Sequence, residues 1–135
     1  MNKTEFDKVG THALHKYLGI EEIEASNGKA IIEIEVQEHI LNPSETLHGG
    51  IIYTISDIVA FCALISQLEE GQIGVTNNFS IQMMRAVRLG QQVKFEANLT
   101  KIGKRLAFLE VVVTSSEKLI AKASITKTLI AYQPS

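Results

Sequence analysis

Residues 49–68 read Gly-Gly-Ile-Ile-Tyr-Thr-Ile-Ser-Asp-Ile-Val-Ala-Phe-Cys-Ala-Leu-Ile-Ser-Gln-Leu, and this stretch decides the fold. Ile51, Ile52, Ile55, Ile58, Val59, Phe61, Cys62, Leu64 and Ile65 make it apolar nearly all round. The pattern predicts one long helix, Gly49–Leu68, buried on most sides. Its apolar run is shorter than the ~20 residues a membrane span needs, and Asp57 sits near its middle. Such a helix has to be wrapped, and the rest of the chain must supply the wrapping.

Upstream, Ile20–Ser26 and Lys29–Glu38 flank Asn27-Gly28, the dipeptide that most strongly signals a hairpin. Ala30, Ile32, Ile34 and Val36 alternate with Glu33, Glu35 and Gln37, as in a strand with one wet face. Residues Ile40–Leu47 read as a loop. Downstream of a Glu69-Glu70-Gly71 turn come four more strands: Val75 to Met83, Val93 to Leu99, Leu106–Thr114 and Leu119–Tyr132. Turns are expected at Gly103-Lys104 and Ser115–Lys118. At the front, Phe6, Val9, Ala13, Leu14 and Tyr17 predict a single amphipathic helix over Lys3–Leu18, closed by Gly19. Asp7 and His12 to His15 fall on its wet face. No parallel crossover is visible after the long helix, so hairpins and an antiparallel sheet are expected. The expectation is an α+β, hotdog fold: a long buried helix wrapped by a curved, mainly antiparallel sheet of about six strands.

The 135 residues suit one domain spanning 1–135, with 45% apolar residues to fill its core. Thirteen basic residues against fifteen acidic ones give a net charge of −2, which argues against a nucleic-acid partner. The single cysteine, Cys62, excludes an internal disulfide and any zinc site built on paired cysteines. His12, His15 and His39 are scattered without carboxylate or cysteine partners at metal-ligand spacing. There is no nucleophile elbow, phosphate loop or dinucleotide fingerprint. The opening Met-Asn-Lys-Thr-Glu-Phe-Asp-Lys carries charges where a signal peptide needs an apolar run, so a cytoplasmic location is expected. Of the two prolines, Pro43 lies in the loop and Pro134 in the tail.

The candidate chemistry lies where the loop meets the long helix. Gly49-Gly50 opens that helix, where backbone N–H groups lack internal partners and carry partial positive charge. Without a Cβ, either glycine lets a ligand approach, and a carbonyl oxygen gaining charge would be stabilised there. A tight loop-to-helix transition with no ligand is the competing explanation. Asp57 stands among isoleucines, and an aspartate in such company needs a reason: a general base or nucleophile, or a carboxylate satisfied by a nearby donor. Asn42 precedes a proline, which leaves its amide able to reach a ligand or a loop carbonyl; His48 can donate in either tautomer. Either residue can equally be a structural hydrogen-bonder.

Spacing couples the two ends. Asp57 is eight residues past Gly49, ~12 Å along the same helix. Reacting atoms must come within ~3–3.5 Å, so both groups can act on one carbonyl only from different helices. The second helix must then belong to another copy of the chain, in a two-fold dimer with two equal sites.

Asn42, His48, Gly49, Gly50 and Asp57, in the pattern Asn-x5-His-Gly-Gly-x6-Asp, resemble the hotdog-fold acyl-CoA thioesterases of the PaaI-like phenylacetate-pathway and thioesterase superfamily member 2 type. The resemblance continues through Val75-Thr76-Asn77-Asn78-Phe79, Ala86-Val87-Arg88-Leu89-Gly90 and Lys101 to Phe108, and covers about residues 15–132. It implies hydrolysis of acyl-CoA or aryl-CoA to a carboxylic acid and free CoA, with neither metal nor cofactor. It implies an interface site in a homodimer or a dimer of dimers. Gly49 would polarise the carbonyl and Asn42 help place it. Asp57 of the partner would activate water or attack, Thr76 would position water, and His48 would support the loop. Gly50 joins the substrate-binding set, with Lys101, Lys104 and Arg105 as candidates for the CoA phosphates; a solvated hairpin tip is the alternative for those three. Two departures stand out. Glu45 occupies a place where glycine is common. Strict alternation also turns Thr76 away from the Val75–Phe79 face, so its role requires a bulge or an interface-facing strand. The rival readings are a non-catalytic acyl-CoA-binding protein and an acyl-CoA hydratase or dehydratase. The Gly-His-Phe-Pro type of segment expected of the latter is absent from the sequence.

Overall fold

The computed structural model describes residues 1–132; Pro134 lies outside them. The elements are α1 (Lys3–Thr11), α2 (Ala13–Tyr17), β1 (Ile23–Ser26), β2 (Lys29–Glu35), α3 (Gly49–Ile65), β3 (Gln72–Met83), β4 (Gln92–Ile102), β5 (Leu106–Ser115) and β6 (Lys118–Ala131). The six strands form one antiparallel sheet in the order β1-β2-β4-β5-β6-β3. The hotdog architecture expected from the sequence is present.

Hairpin chemistry sets the register. Asn27 and Gly28 have φ values of 51° and 79°, the left-handed pair that a two-residue turn requires. Ser116 and Glu117 do the same between β5 and β6 at 50° and 65°, without a glycine. The resulting pairings Ala30↔Ala97, Ile32↔Phe95 and Ile34↔Val93 put those six side chains on the concave face. Against them α3 buries Ile52, Ile55, Val59, Cys62 and Ile65.

The sheet does not close around α3. Tyr53 is exposed, and Thr54, Asp57 and Phe61 are half-exposed, forming a stripe at helical spacing beside β3. β3 is an edge strand of 12 residues, whereas the opposite edge, β1, has only 4.

The N-terminal segment is two helices, not the single helix expected over Lys3–Leu18. His12 adopts extended geometry (φ −69°, ψ 132°) and ends α1. A straight helix of that length would run ~24 Å and carry its end away from the sheet. The break folds the chain back, so that Leu18 enters the core and the His15 ring returns to Val9, its Nδ1 2.9 Å from the Val9 carbonyl oxygen. His15 therefore does not mark a wet face, and Leu14 and Tyr17 are exposed.

Candidate active site

The start of α3 separates two chemically identical glycines. His48 is the N-cap, and its Nδ1 accepts the Gly50 N–H at 2.9 Å. The His48 carbonyl takes the next two amides, from Ile51 at 2.9 Å and Ile52 at 3.2 Å. Among the described residues, nothing accepts the Gly49 N–H. Gly49 thus holds the unspent donor at the positive end of a 17-residue helix, whereas the Gly50 amide is already used. Because Nδ1 is the acceptor, the neutral His48 ring carries its proton on Nε2. Both glycines are also tightly packed. A Cβ on Gly50 would lie 3.2 Å from His48 Nδ1, and one on Gly49 would lie 3.1 Å from Met83 Sδ.

The preceding loop is tied by Asn42. Its Oδ1 accepts from the amides of Ser44 (2.9 Å) and Thr46 (3.1 Å), and its Nδ2 donates to Thr46 Oγ1 at 2.8 Å. These bonds tie the side chain to the loop and use one of the two Nδ2 hydrogens. Glu45 has φ 63°, in the left-handed region. The position therefore favours glycine, since a side chain in that region is strained.

Asp57 is less buried than its apolar neighbours suggest: its side chain is 39% exposed. The buried charge is Lys127 on β6, 2% exposed, which the sequence reading missed. Lys127 Nζ donates to Asp57 Oδ1 at 3.1 Å and to Thr76 Oγ1 at 2.8 Å, and the Thr76 hydroxyl donates to the same Asp57 oxygen at 2.7 Å. A bulge between Thr76 and Asn78 turns Thr76 inward, meeting the requirement that strict alternation imposed. Burial pushes the Lys127 amine below the ordinary lysine range, while Asp57 pulls it back up. A cavity of about 440 Å³ opens beside these groups, walled by Val9, Ile58, Phe61, Val75 and His15. Burial also lowers His15, whose Nδ1–H donates to the Val9 carbonyl.

The edge strand measures the distance between the two halves. β3 runs along α3 in the opposite sense: Thr76 bonds Asp57, Phe79 stacks on Tyr53 with ring centroids 3.9 Å apart, and Met83 packs at Gly49. Within one chain the free amide and the carboxylate therefore occupy opposite ends of the open stripe. Lys101, Lys104 and Arg105 are exposed at the β4–β5 hairpin. That hairpin is at the Asp57 end of the sheet, since Leu129, which pairs with Gly74, donates its amide to Arg105 O at 2.8 Å. Among the described residues, no three side chains gather as a metal site, and no helix is long and apolar enough to cross a membrane.

Comparison with known proteins bears on the family and the fold. Acyl-coenzyme A thioesterase 13 of Homo sapiens is 38% identical over 109 residues, covering 79% of this chain and 77% of that protein. A putative esterase of Archaeoglobus fulgidus is 35% identical over 102 residues, covering 75% and 64%. The E. coli PaaI protein from the phenylacetic acid degradation operon superposes with a TM-score of 0.85 at 23% identity, over 96% of this chain and 91% of that one, and so shares the fold. The smu.793 protein of Streptococcus mutans, solved bound to acetyl CoA, gives 0.76 at 25% identity over 84% and 93%. The sequence profile of the thioesterase superfamily matches residues 45–122, from the loop before α3 into β6, and the chain belongs to that family.

Proposed function

We propose that the protein hydrolyses acyl-CoA thioesters at a centre shared by two chains, with residues 1–135 as one catalytic domain. It is a thioester hydrolase of the acyl-CoA class. The observation that carries the site assignment is the separation within one chain of an unspent helix-start amide and an oriented carboxylate. A two-fold axis near Phe79, pairing β3 with β3 of a second copy, reunites them. In that antiparallel pairing, Met83 and Gly49 of one chain meet the partner's Thr76 and Asp57. Val75 and Met83, exposed on the unpaired edge strand, and Tyr53, exposed on α3 beside it, favour such a contact.

Asp57 Oδ2, which takes no bond from the described residues, removes a proton from water as the water oxygen attacks the carbonyl carbon. The electron pair pushed onto the carbonyl oxygen is held by the partner's Gly49 N–H. Its return breaks the C–S bond, and the departing CoA sulfur takes the proton from Asp57. The same oxygen serves if the carboxylate attacks directly. Thr76 orients Asp57, His48 fixes the amides at the helix start, and Asn42 shapes the loop. Lys101, Lys104 and Arg105 meet the CoA phosphates, with Gly50 lining the mouth; their exposure on a hairpin at the Asp57 end of the sheet supports this. The enzyme works in the cytoplasm as a homodimer or a dimer of dimers.

Asp57→Asn should lower turnover by about 10²–10⁴ while the dimer persists, as loss of general-base work predicts. Thiol release from aryl, short-chain and long-chain acyl-CoA substrates measures it. Unchanged hydrolysis of every substrate contradicts the assignment. Tight binding without thiol release by the wild type favours the binding-protein reading.

A further inference from the structure

We propose that Lys127 is a positioning residue for this hydrolysis: with Thr76 it clamps one oxygen of Asp57 and leaves the other, Oδ2, to meet the nucleophilic water. The assignment rests on Asp57 being the catalytic carboxylate.

An ammonium group 2% exposed is costly to bury, and nothing in the packing of β6 demands one. The inward positions that precede Lys127 on that strand, Ala121, Ala123 and Ile125, are all apolar and buried. A methionine or leucine at 127 would fill the same space without a charge to desolvate. The lysine's protons are spent on function-side groups instead. One goes to Asp57 Oδ1 and one to Thr76 Oγ1, and Nζ stands 5.7 Å from the Phe61 ring centroid.

The hydroxyl between them has a single direction. Thr76 accepts from Lys127, so its own proton must point to Asp57 Oδ1, where the bond is 2.7 Å. Three elements, α3, β3 and β6, thus fix one half-exposed carboxylate. Two donors fall on Oδ1 and, among the described residues, none on Oδ2. A carboxylate anchored through one oxygen cannot spin about its last bond, so Oδ2 keeps its aim before substrate arrives. A lysine kept only for stability would be a poor choice here. Breaking an ion pair is severe when the remaining charge is buried, but Asp57 can be hydrated once Lys127 is gone.

The test uses Lys127→Met and Lys127→Leu in the full chain, each alone and combined with Asp57→Asn. kcat and KM are measured with an acyl-CoA the wild type hydrolyses, and Tm by circular dichroism. The expected result for Lys127→Met is a kcat about tenfold lower or more, with KM within about twofold and Tm equal or higher. Added to Asp57→Asn, it should cause no further loss, because the two residues act as one unit. If the methionine variant fails to fold, Lys127→Leu, which likewise removes every donor, carries the same reading. A Lys127→Met enzyme within twofold of wild-type kcat overturns the clamp, as does an equal loss in the Asp57→Asn background. A kcat loss matched by a fall in Tm also overturns it in favour of a structural role. A fully active Asp57→Asn overturns the reaction centre itself, whereas an inactive Asp57→Asn beside a fully active Lys127→Met overturns the clamp alone.

Discussion

Gly49 and Gly50 differ only in what their amides do, and that difference can be isolated. Proline is tolerated at the first position of a helix, and His48 before it already has the extended geometry a proline demands (φ −62°, ψ 131°). Gly49→Ala adds a Cβ and keeps the N–H; Gly49→Pro adds a Cβ and removes it. Turnover of the proline variant should lie about 10²–10³ below that of the alanine variant, the usual worth of one oxyanion donor. Equal turnover in acyl-CoA assays would show that the amide is not used. Cys62 gives a second residue-scale test. Burial pushes its thiol up to about 12, from an ordinary value of 9.0, which the exposed thiol of an unfolded chain takes. Between those values the unfolded chain loses a proton that the folded chain keeps, so stability present below pH 9 falls as pH rises, by up to ~1.4 kcal/mol per pH unit. Lys127, with its amine lowered by burial, works in the opposite sense below its ordinary value of 10.5. Lys127 is present in both wild type and Cys62→Ala, so comparing their denaturant midpoints at pH 8 and pH 10 should show the steeper loss in the wild type. The glycines and Asp57 were legible in the sequence because each breaks a local rule in plain view. Lys127 also breaks one, sharing parity with Ala121, Ala123 and Ile125, but a lone lysine near a strand end reads as solvated until the sheet is closed over it.

At the scale of elements, the long helix and the strand order follow from hydrophobic period and turn residues, which act locally. The break at His12 does not. His12 lies in a pattern that suits a helix, and the chain leaves it because Leu18 gains burial and His15 gains the Val9 carbonyl, contacts invisible to periodicity. The bulge at Thr76 is similar, and was accessible only as a condition on Thr76's role. Close packing of β3 on α3 depends on Gly74. A Cβ there would overlap Leu64 Cδ2 and stand 3.2 Å from Lys127 Cβ. Gly74→Ala should cost about 1–3 kcal/mol through overpacking, read as a lower denaturant midpoint with an unchanged slope. A midpoint equal to wild type would mean that the strand lifts from the helix at no cost.

The two edges of the sheet are built differently. β1 is four residues long and lies among Glu21, Glu22, Glu24 and Glu33, a short and charged edge of the kind that resists pairing. β3 is three times that length and meets the open stripe of α3 along Tyr53 and Phe79. Such an edge, left bare, invites another strand; in the proposed dimer a second copy of this chain would supply one whose far end carries the missing half of the site. The direct test mixes two chains that are each inactive alone, Gly49→Pro and Asp57→Asn, after dissociation and reassociation. If the centre is shared, half the dimers are mixed and each of those holds one intact site, so activity returns to about one quarter of the wild-type value. If mixed dimers form, as shown by differential tagging, and no activity returns, amide and carboxylate act within one chain and the shared centre is wrong.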